Sequence, residues 1–212
     1  MKIDTKLILK QYEDNLPIYE KLVEVVEYEL KKSINKKHIK IHAISYRIKE
    51  PNSLLDKIRR KKLLQPFDQV HDIVGFRVVC LFLTDLEEIN KIVHNIFDVF
   101  DEDDKINNSE INIFGYMSLH LKCRLKSSNH NNMISNTPFE VQVRTIAQDA
   151  WASISHYLDY KKESLIPEQF KRDFYALSGL FYVADTHFSI LQQEQSAIYL
   201  KTKGNSTTNR ST

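Results

Sequence analysis

The chain has 212 residues, 42% apolar and 27% charged, with a net charge of +2 and two cysteines. That is the balance of an ordinary folded chain, long enough to bury a core without covalent staples. Near-neutral charge argues against coating nucleic acid by bulk attraction, and two distant cysteines make neither a zinc site nor a disulfide framework.

The first apolar stripe is Leu16, Tyr19, Leu22, Val23, Val26 and Leu30. Its spacing predicts a helix over 16–32, with Asn15 as cap and Pro17 in the first turn. A basic linker at 35–40 leads to a strand at 41–49. There Ile44, Tyr46 and Ile48 alternate with Ser45, Arg47 and Lys49. Pro51 opens a short helix through Leu64. Residues 75–82 read as a buried strand. Thr84 and Glu87 form a capping box for a helix through Phe97, and an acidic loop begins at 101–104. Residues 118–125 alternate as a strand, with Leu119, Leu121, Cys123 and Leu125 inward. A polar loop at 127–137 precedes a strand at 139–144. Thr145 and Gln148 cap a helix through Tyr160, whose apolar stripe is Ala147, Ala150, Trp151, Ile154 and Leu158. Pro167 opens a last helix that ends near Gln195.

This order predicts a mixed sheet with helices packed on it, an α/β (α+β) fold. It forms a single domain over 1–200, with helical extensions at 1–35 and 165–200 and a disordered Ser/Thr/Asn-rich tail at 201–212. No segment reads as a signal peptide and no apolar run is long enough to span a bilayer, so the expected setting is the cytosol.

The chemistry begins with a basic stripe. Ser53, Lys57 and Arg60 share one side of the helix after Pro51, away from Leu54, Leu55 and Ile58. Arg47 and Lys49 extend the stripe from the preceding strand. A lone stripe of this kind is more often a solvated face. Cations from two elements converging near a helix start suit a polyphosphate. Two acids follow. Asp72 precedes a strand that carries Gly75 and Arg77, and Glu140 shares a strand face with Gln142 and Arg144. Mg²⁺ takes one or two carboxylates plus phosphate oxygens, so the pair is a candidate metal site if both acids flank the stripe. Gly115 and Tyr116 make a turn beside Ser118 and His120, where a ring can stack on a base. There is no glycine-rich phosphate loop and no nucleophile elbow.

Together, SYRIKEPNSLLDKIRRK, HDIVGFRVVCLF, FGYMSLHL and FEVQVRTIAQDAWASISH resemble the synthetase domain of the RelA/SpoT family, in its stand-alone form, the small alarmone synthetases. The resemblance runs from about Leu16 to Gln195. It implies a nucleotidyltransferase-like mixed sheet. It also implies transfer of the β,γ-diphosphate of ATP to the 3′-hydroxyl of GDP or GTP, giving AMP and (p)ppGpp in the stringent response. By motif position Arg47, Lys49, Ser53, Lys57, Arg60 and Arg77 would hold ATP. Asp72 and Glu140 would hold Mg²⁺, and Glu140 would activate the acceptor hydroxyl. Tyr116, His120 and Gln148 would meet the acceptor.

The acceptor half departs from the family's pattern. Met117 stands where an Arg is frequent, Gln148 where Asn is, and Ser155 where Glu is. Two alternatives therefore stay open: a toxic branch that modifies the 3′ end of tRNA, and an inactive nucleotide-binding regulator. The resemblance also implies a homo-oligomer, a tetramer in many relatives.

Overall fold

A computed structural model describes residues 4–104, 118–126, 132–159 and 168–208. Five strands form one mixed sheet in the order β1-β2-β5-β4-β3. They are β1 (Ile41–Ile48), β2 (Val74–Cys80), β3 (Phe97–Asp104), β4 (Leu119–Leu125) and β5 (Phe139–Thr145). β2 and β5 run parallel, and the other neighbours pair antiparallel. The expected α/β fold with helical extensions is the one observed.

The first helix, α1, spans Thr5–Lys36, starting well before the expected position. Ile8 and Tyr12 extend the buried stripe toward the N-terminus, and Asp4 accepts the Lys6 and Leu7 N–H groups as cap. Pro17 therefore lies inside the helix, on an exposed turn, with a hydrogen bond forgone. Burial of Tyr19, Leu22, Val26 and Leu30 outweighs that loss, at about 1.5–3 kcal/mol for each fully buried large side chain. Helix α2 (Pro51–Lys61) stops three residues earlier than Leu64, because Lys62 turns left-handed at φ 51°. A short α3 (Pro66–Gln69) follows, with Pro66 in its first turn.

Helix α4 (Leu83–Ile96) starts at Phe82, with Thr84 inside it. Asp85, not Glu87, reaches back to the Phe82 N–H at 3.1 Å. The acidic segment at 101–104 is not a loop but the end of β3, bulged between Val99 and Asp101. Asp101 lies opposite Lys122 of β4 and pairs with it, and Asp103 lies opposite His120. That pairing removes the repulsion that made the run look unstructured. Helix α5 (Asn132–Asn136) falls where a loop was expected. Helix α6 (Ile146–Asp159) is capped as predicted: the Thr145 and Gln148 side chains exchange hydrogen bonds with each other's N–H at 3.0 and 3.2 Å. Ile154, expected in its core stripe, is exposed. Helix α7 (Glu168–Thr208) runs past Gln195 into the segment read as a tail.

The core forms where α1 and α4 cover one face of the sheet. Phe76, Phe97 and Phe139 meet edge-on there, with centroids 5.0 and 6.0 Å apart. Cys80 and Cys123 are buried and unpaired. Burial pushes the Cys80 thiol up to about 12 and Cys123 higher still, so both stay as inert thiols. Among the described residues no helix is long and apolar enough to cross a membrane.

Candidate active site

Strand alternation sends the other side chains to the opposite face of the sheet, where register lines them up in rows. One row reads Arg47, Gly75, Glu140, Lys122, Asp101. The next reads Ser45, Arg77, Gln142, His120, Asp103. Residues directly opposed in neighbouring strands share a face. Residues from four separate motifs thus share one surface. A cleft of about 160 Å³ opens over it, lined by Ser45, Arg47, Asp72, Gly75, Arg77, Glu140 and Gln142, and by Tyr46 and Phe76 of the same strands. Both acids and two of the predicted cations meet there.

The basic stripe reaches this cleft through Asp72. Its carboxylate receives Lys57 Nζ at 2.7 Å and Lys49 Nζ at 3.1 Å. Lys49 closes β1, Lys57 rises from α2 and Asp72 precedes β2, so three elements join at one carboxylate. Tyr12 of α1 donates to the Lys49 carbonyl at 2.9 Å and fixes that strand end. Burial alone would push Asp72 up. The Lys57 hydrogen bond and the charges of both lysines outweigh it and hold the carboxyl below its usual value. Ser53 shares the Lys57 side of α2, whereas Arg60 lies further along that helix, exposed and away from the cleft lining.

Glu140 is held from two sides. His120 Nδ1 lies 2.9 Å from its Oε1, and Gln142 Nε2 donates to its Oε2 at 2.8 Å. Burial pushes this carboxyl up as well, and the neighbouring Asp72 charge adds to that. The His120 hydrogen bond and charge and the Gln142 hydrogen bond prevail, leaving it below its usual value. Both acids are therefore ionised at neutral pH in one cleft, each feeling the other.

Gln148 stands apart from this group. Its side chain is buried and its Oε1 is engaged by the Thr145 N–H as the cap of α6. Gly115, Tyr116 and Met117 lie outside the described residues. Sequence reasoning missed one member of the cluster. Asp149, in the first turn of α6, lies 3.1 Å from Arg77 and 3.4 Å from Arg144. Arg144 is on the polar face as expected, where it donates to Gln142, yet it is almost fully buried, at 2% exposure of its side chain. Its position directly before a capped helix start was the available signal, since a buried guanidinium calls for a nearby carboxylate.

The fold and cleft define an α/β protein that gathers two carboxylates and several cations on one sheet face without a glycine loop. The model of the region found in RelA and SpoT proteins matches residues 46–165, and the chain belongs to that family. It is 30% identical over 207 residues to the GTP pyrophosphokinase YjbM of Bacillus subtilis, covering 92% of this chain and 97% of that one. It is also similar to the small alarmone synthetase 1 of Bacillus subtilis bound to its product pppGpp, at 29% identity and a TM-score of 0.75, over 87% of this chain and 98% of that one. The same synthetase bound to AMPCPP matches at 27% identity and a TM-score of 0.69, over 89% and 99% of the two chains.

Proposed function

We propose that this chain is a (p)ppGpp synthetase, transferring the β,γ-diphosphate of ATP to the 3′-hydroxyl of GDP or GTP. The observation that carries the reading is the meeting of Asp72 and Glu140 with Arg47 and Arg77 in one cleft. The named activity of the relatives, and the pppGpp and AMPCPP bound in the solved structures, support it. The acceptor 3′-oxygen forms a bond to the β-phosphorus of ATP. The bond from that phosphorus to the bridging oxygen of the α-phosphate breaks, and AMP leaves with that oxygen.

Arg47 and Arg77 flank Gly75 and meet the donor, with Lys49, Ser53, Lys57 and Arg60 along its phosphates. Glu140 accepts the proton of the acceptor hydroxyl. Its lowered proton affinity suffices, because phosphoryl transfer needs charge neutralisation and alignment more than a strong base. His120 steadies Glu140 on the acceptor side, and Tyr116 completes that side.

A divalent cation fits this cleft. Its donors would be oxygens only, from two ionised carboxylates that repel one another, and Mg²⁺ favours one or two carboxylates plus phosphates and water. Asp72 and Glu140 would hold it, and it would neutralise charge on the transferring diphosphate. We place the enzyme in the cytosol. We also infer a homo-oligomer, because α7 exposes Tyr175, Leu180, Val183, Phe188 and Leu191, an apolar display unusual for a monomer.

The test is to offer the protein Mg²⁺ and ATP labelled in the β,γ-diphosphate, with GDP, GTP or deacylated tRNA. Label in a guanosine product is expected. Label in tRNA with none in nucleotide would replace the reading with tRNA 3′-end modification. AMPCPP binding without any transfer would leave a nucleotide-binding regulator.

A further inference from the structure

A chain of contacts links the two halves of the cleft through Asp149. Its Oδ1 lies 3.1 Å from Arg77 Nη1 and 3.4 Å from Arg144 Nη1. Arg144 Nη2 donates to Gln142 Oε1. Gln142 Nε2 then donates to Glu140 Oε2 at 2.8 Å. The guanidinium has no acceptor, so Arg144 selects the oxygen end of the Gln142 amide and turns its nitrogen end toward Glu140. Asp149 orients Arg144, Arg144 orients Gln142, and Gln142 orients Glu140.

We propose that Asp149 is a positioning residue that fixes Arg77 on one side of the cleft and Glu140 on the other as a single unit. Two guanidiniums share one carboxylate oxygen here. Without that charge they would repel each other in a partly buried place. An acid in a first helical turn is ordinarily there for the helix dipole. Thr145 and Gln148 already cap α6, however, and Asp149 is aimed at two arginines from neighbouring strands. The inference rests on the proposed function for the roles of Arg77 and Glu140, but not for the geometry that joins them.

The test compares Asp149→Asn, Asp149→Glu, Arg77→Ala and the Asp149→Asn/Arg77→Ala double variant. Each is measured for diphosphate transfer, for AMPCPP binding by calorimetry and for thermal melting. Asp149→Asn should lower kcat/KM about 10- to 100-fold, as loss of an orienting partner does, with both a higher KM for ATP and a lower kcat. Arg77→Ala should add little in the Asp149→Asn background, because the two act together. Asp149→Glu should restore part of the loss. Wild-type kinetics in Asp149→Asn, or losses that multiply independently, would overturn the proposal, as would a loss that only follows the melting temperature. If Asp149→Asn does not fold, Asp149→Glu decides: unaltered AMPCPP binding and kinetics overturn the proposal, weakened binding in a folded protein supports it. A wild-type protein that binds AMPCPP but transfers nothing would end the functional reading alone. Weakened AMPCPP binding in Asp149→Asn would still stand as the signature of the link.

Discussion

Glu140 and His120 face one another across β5 and β4, with His120 Nδ1 2.9 Å from Glu140 Oε1. With the carboxylate ionised, Nδ1 carries the proton and donates. Glu140→Gln removes the charge while preserving most of the shape. Transfer should fall by about 100-fold or more, the scale of a lost acid–base group. AMPCPP affinity measured without metal should stay within a few-fold. Retained turnover would refute the role given to Glu140.

Lys57 and Lys49 hold Asp72 from two elements. Lys57→Ala removes the shorter contact and one cation proposed to meet the phosphates. KM for ATP should rise about 10-fold, from one lost charge-assisted hydrogen bond, and the melting temperature should fall, because Asp72 loses its nearer partner. An unchanged KM would count against the phosphate cradle.

The pH dependence follows from the same contacts. Asp72 and Glu140 both have carboxyls lowered in the folded state, so the folded chain binds fewer protons there than the unfolded chain. Their contribution to stability is complete above the unfolded carboxylate range, about pH 4. It is lost as pH falls through the lower folded values. Thermal melts should therefore be flat near neutrality with respect to these groups and drop in acid. Asp72→Asn should make that acid loss shallower, and an identical acid profile in the variant would refute the assignment.

How much of this was legible in the sequence depended on whether a residue's surroundings were local. β4 and β5 alternate cleanly, and Ser53 and Lys57 sit four residues apart, so their faces could be read from spacing alone. The convergence of Lys49 with Lys57 was foreshadowed because their two elements are joined by a tight connection, but their meeting at Asp72 was not. Asp149 was not legible. It meets Arg77 only because β2 and β5 pair in parallel, Arg77 opposite Gln142, which carries the start of α6 alongside β2. The β3 acids misled for the same reason, since the partners of Asp101 on β4 and of Glu102 on α4 are distant in sequence. Pro17 misled because a proline reads as a helix start unless a longer apolar stripe, here from Ile8, overrides it.

Gly75 lies between Arg47 and Glu140 in the row that floors the cleft. A Cβ built there meets nothing within 4 Å, and the backbone does not need glycine, since no glycine has positive φ among the described residues. Gly75→Ala should therefore fold normally, about 0.5 kcal/mol more stable through the unfolded chain. Gly75→Val suits a strand equally well but puts a branched side chain into the space over the floor. Its melting temperature should hold while AMPCPP binding falls. Full binding by folded Gly75→Val would mean the donor does not pass over Gly75.

Asp185 ties α7 to the end of the sheet. Its Oδ2 accepts the Thr145 hydroxyl at 2.5 Å, in a place where only 4% of the residue is exposed. Burial pushes this carboxyl up, and the Thr145 hydrogen bond only partly offsets it. The sign is opposite to that of Asp72. The folded chain holds this proton more tightly than the unfolded chain, so the charged form costs stability above its raised folded value, and that cost disappears as pH falls. Asp185→Asn keeps an acceptor oxygen for Thr145 and carries no charge. Its melting temperature should equal or exceed wild type at neutral and alkaline pH, and the difference should shrink in acid. Asp185→Ala removes the acceptor and should be about 1–3 kcal/mol less stable than Asp185→Asn at every pH, the penalty of a buried hydroxyl that has lost this partner. Melting curves of the two variants across pH decide the matter. An Asp185→Asn variant as unstable as Asp185→Ala at neutral pH would show that the charge itself holds α7 in place.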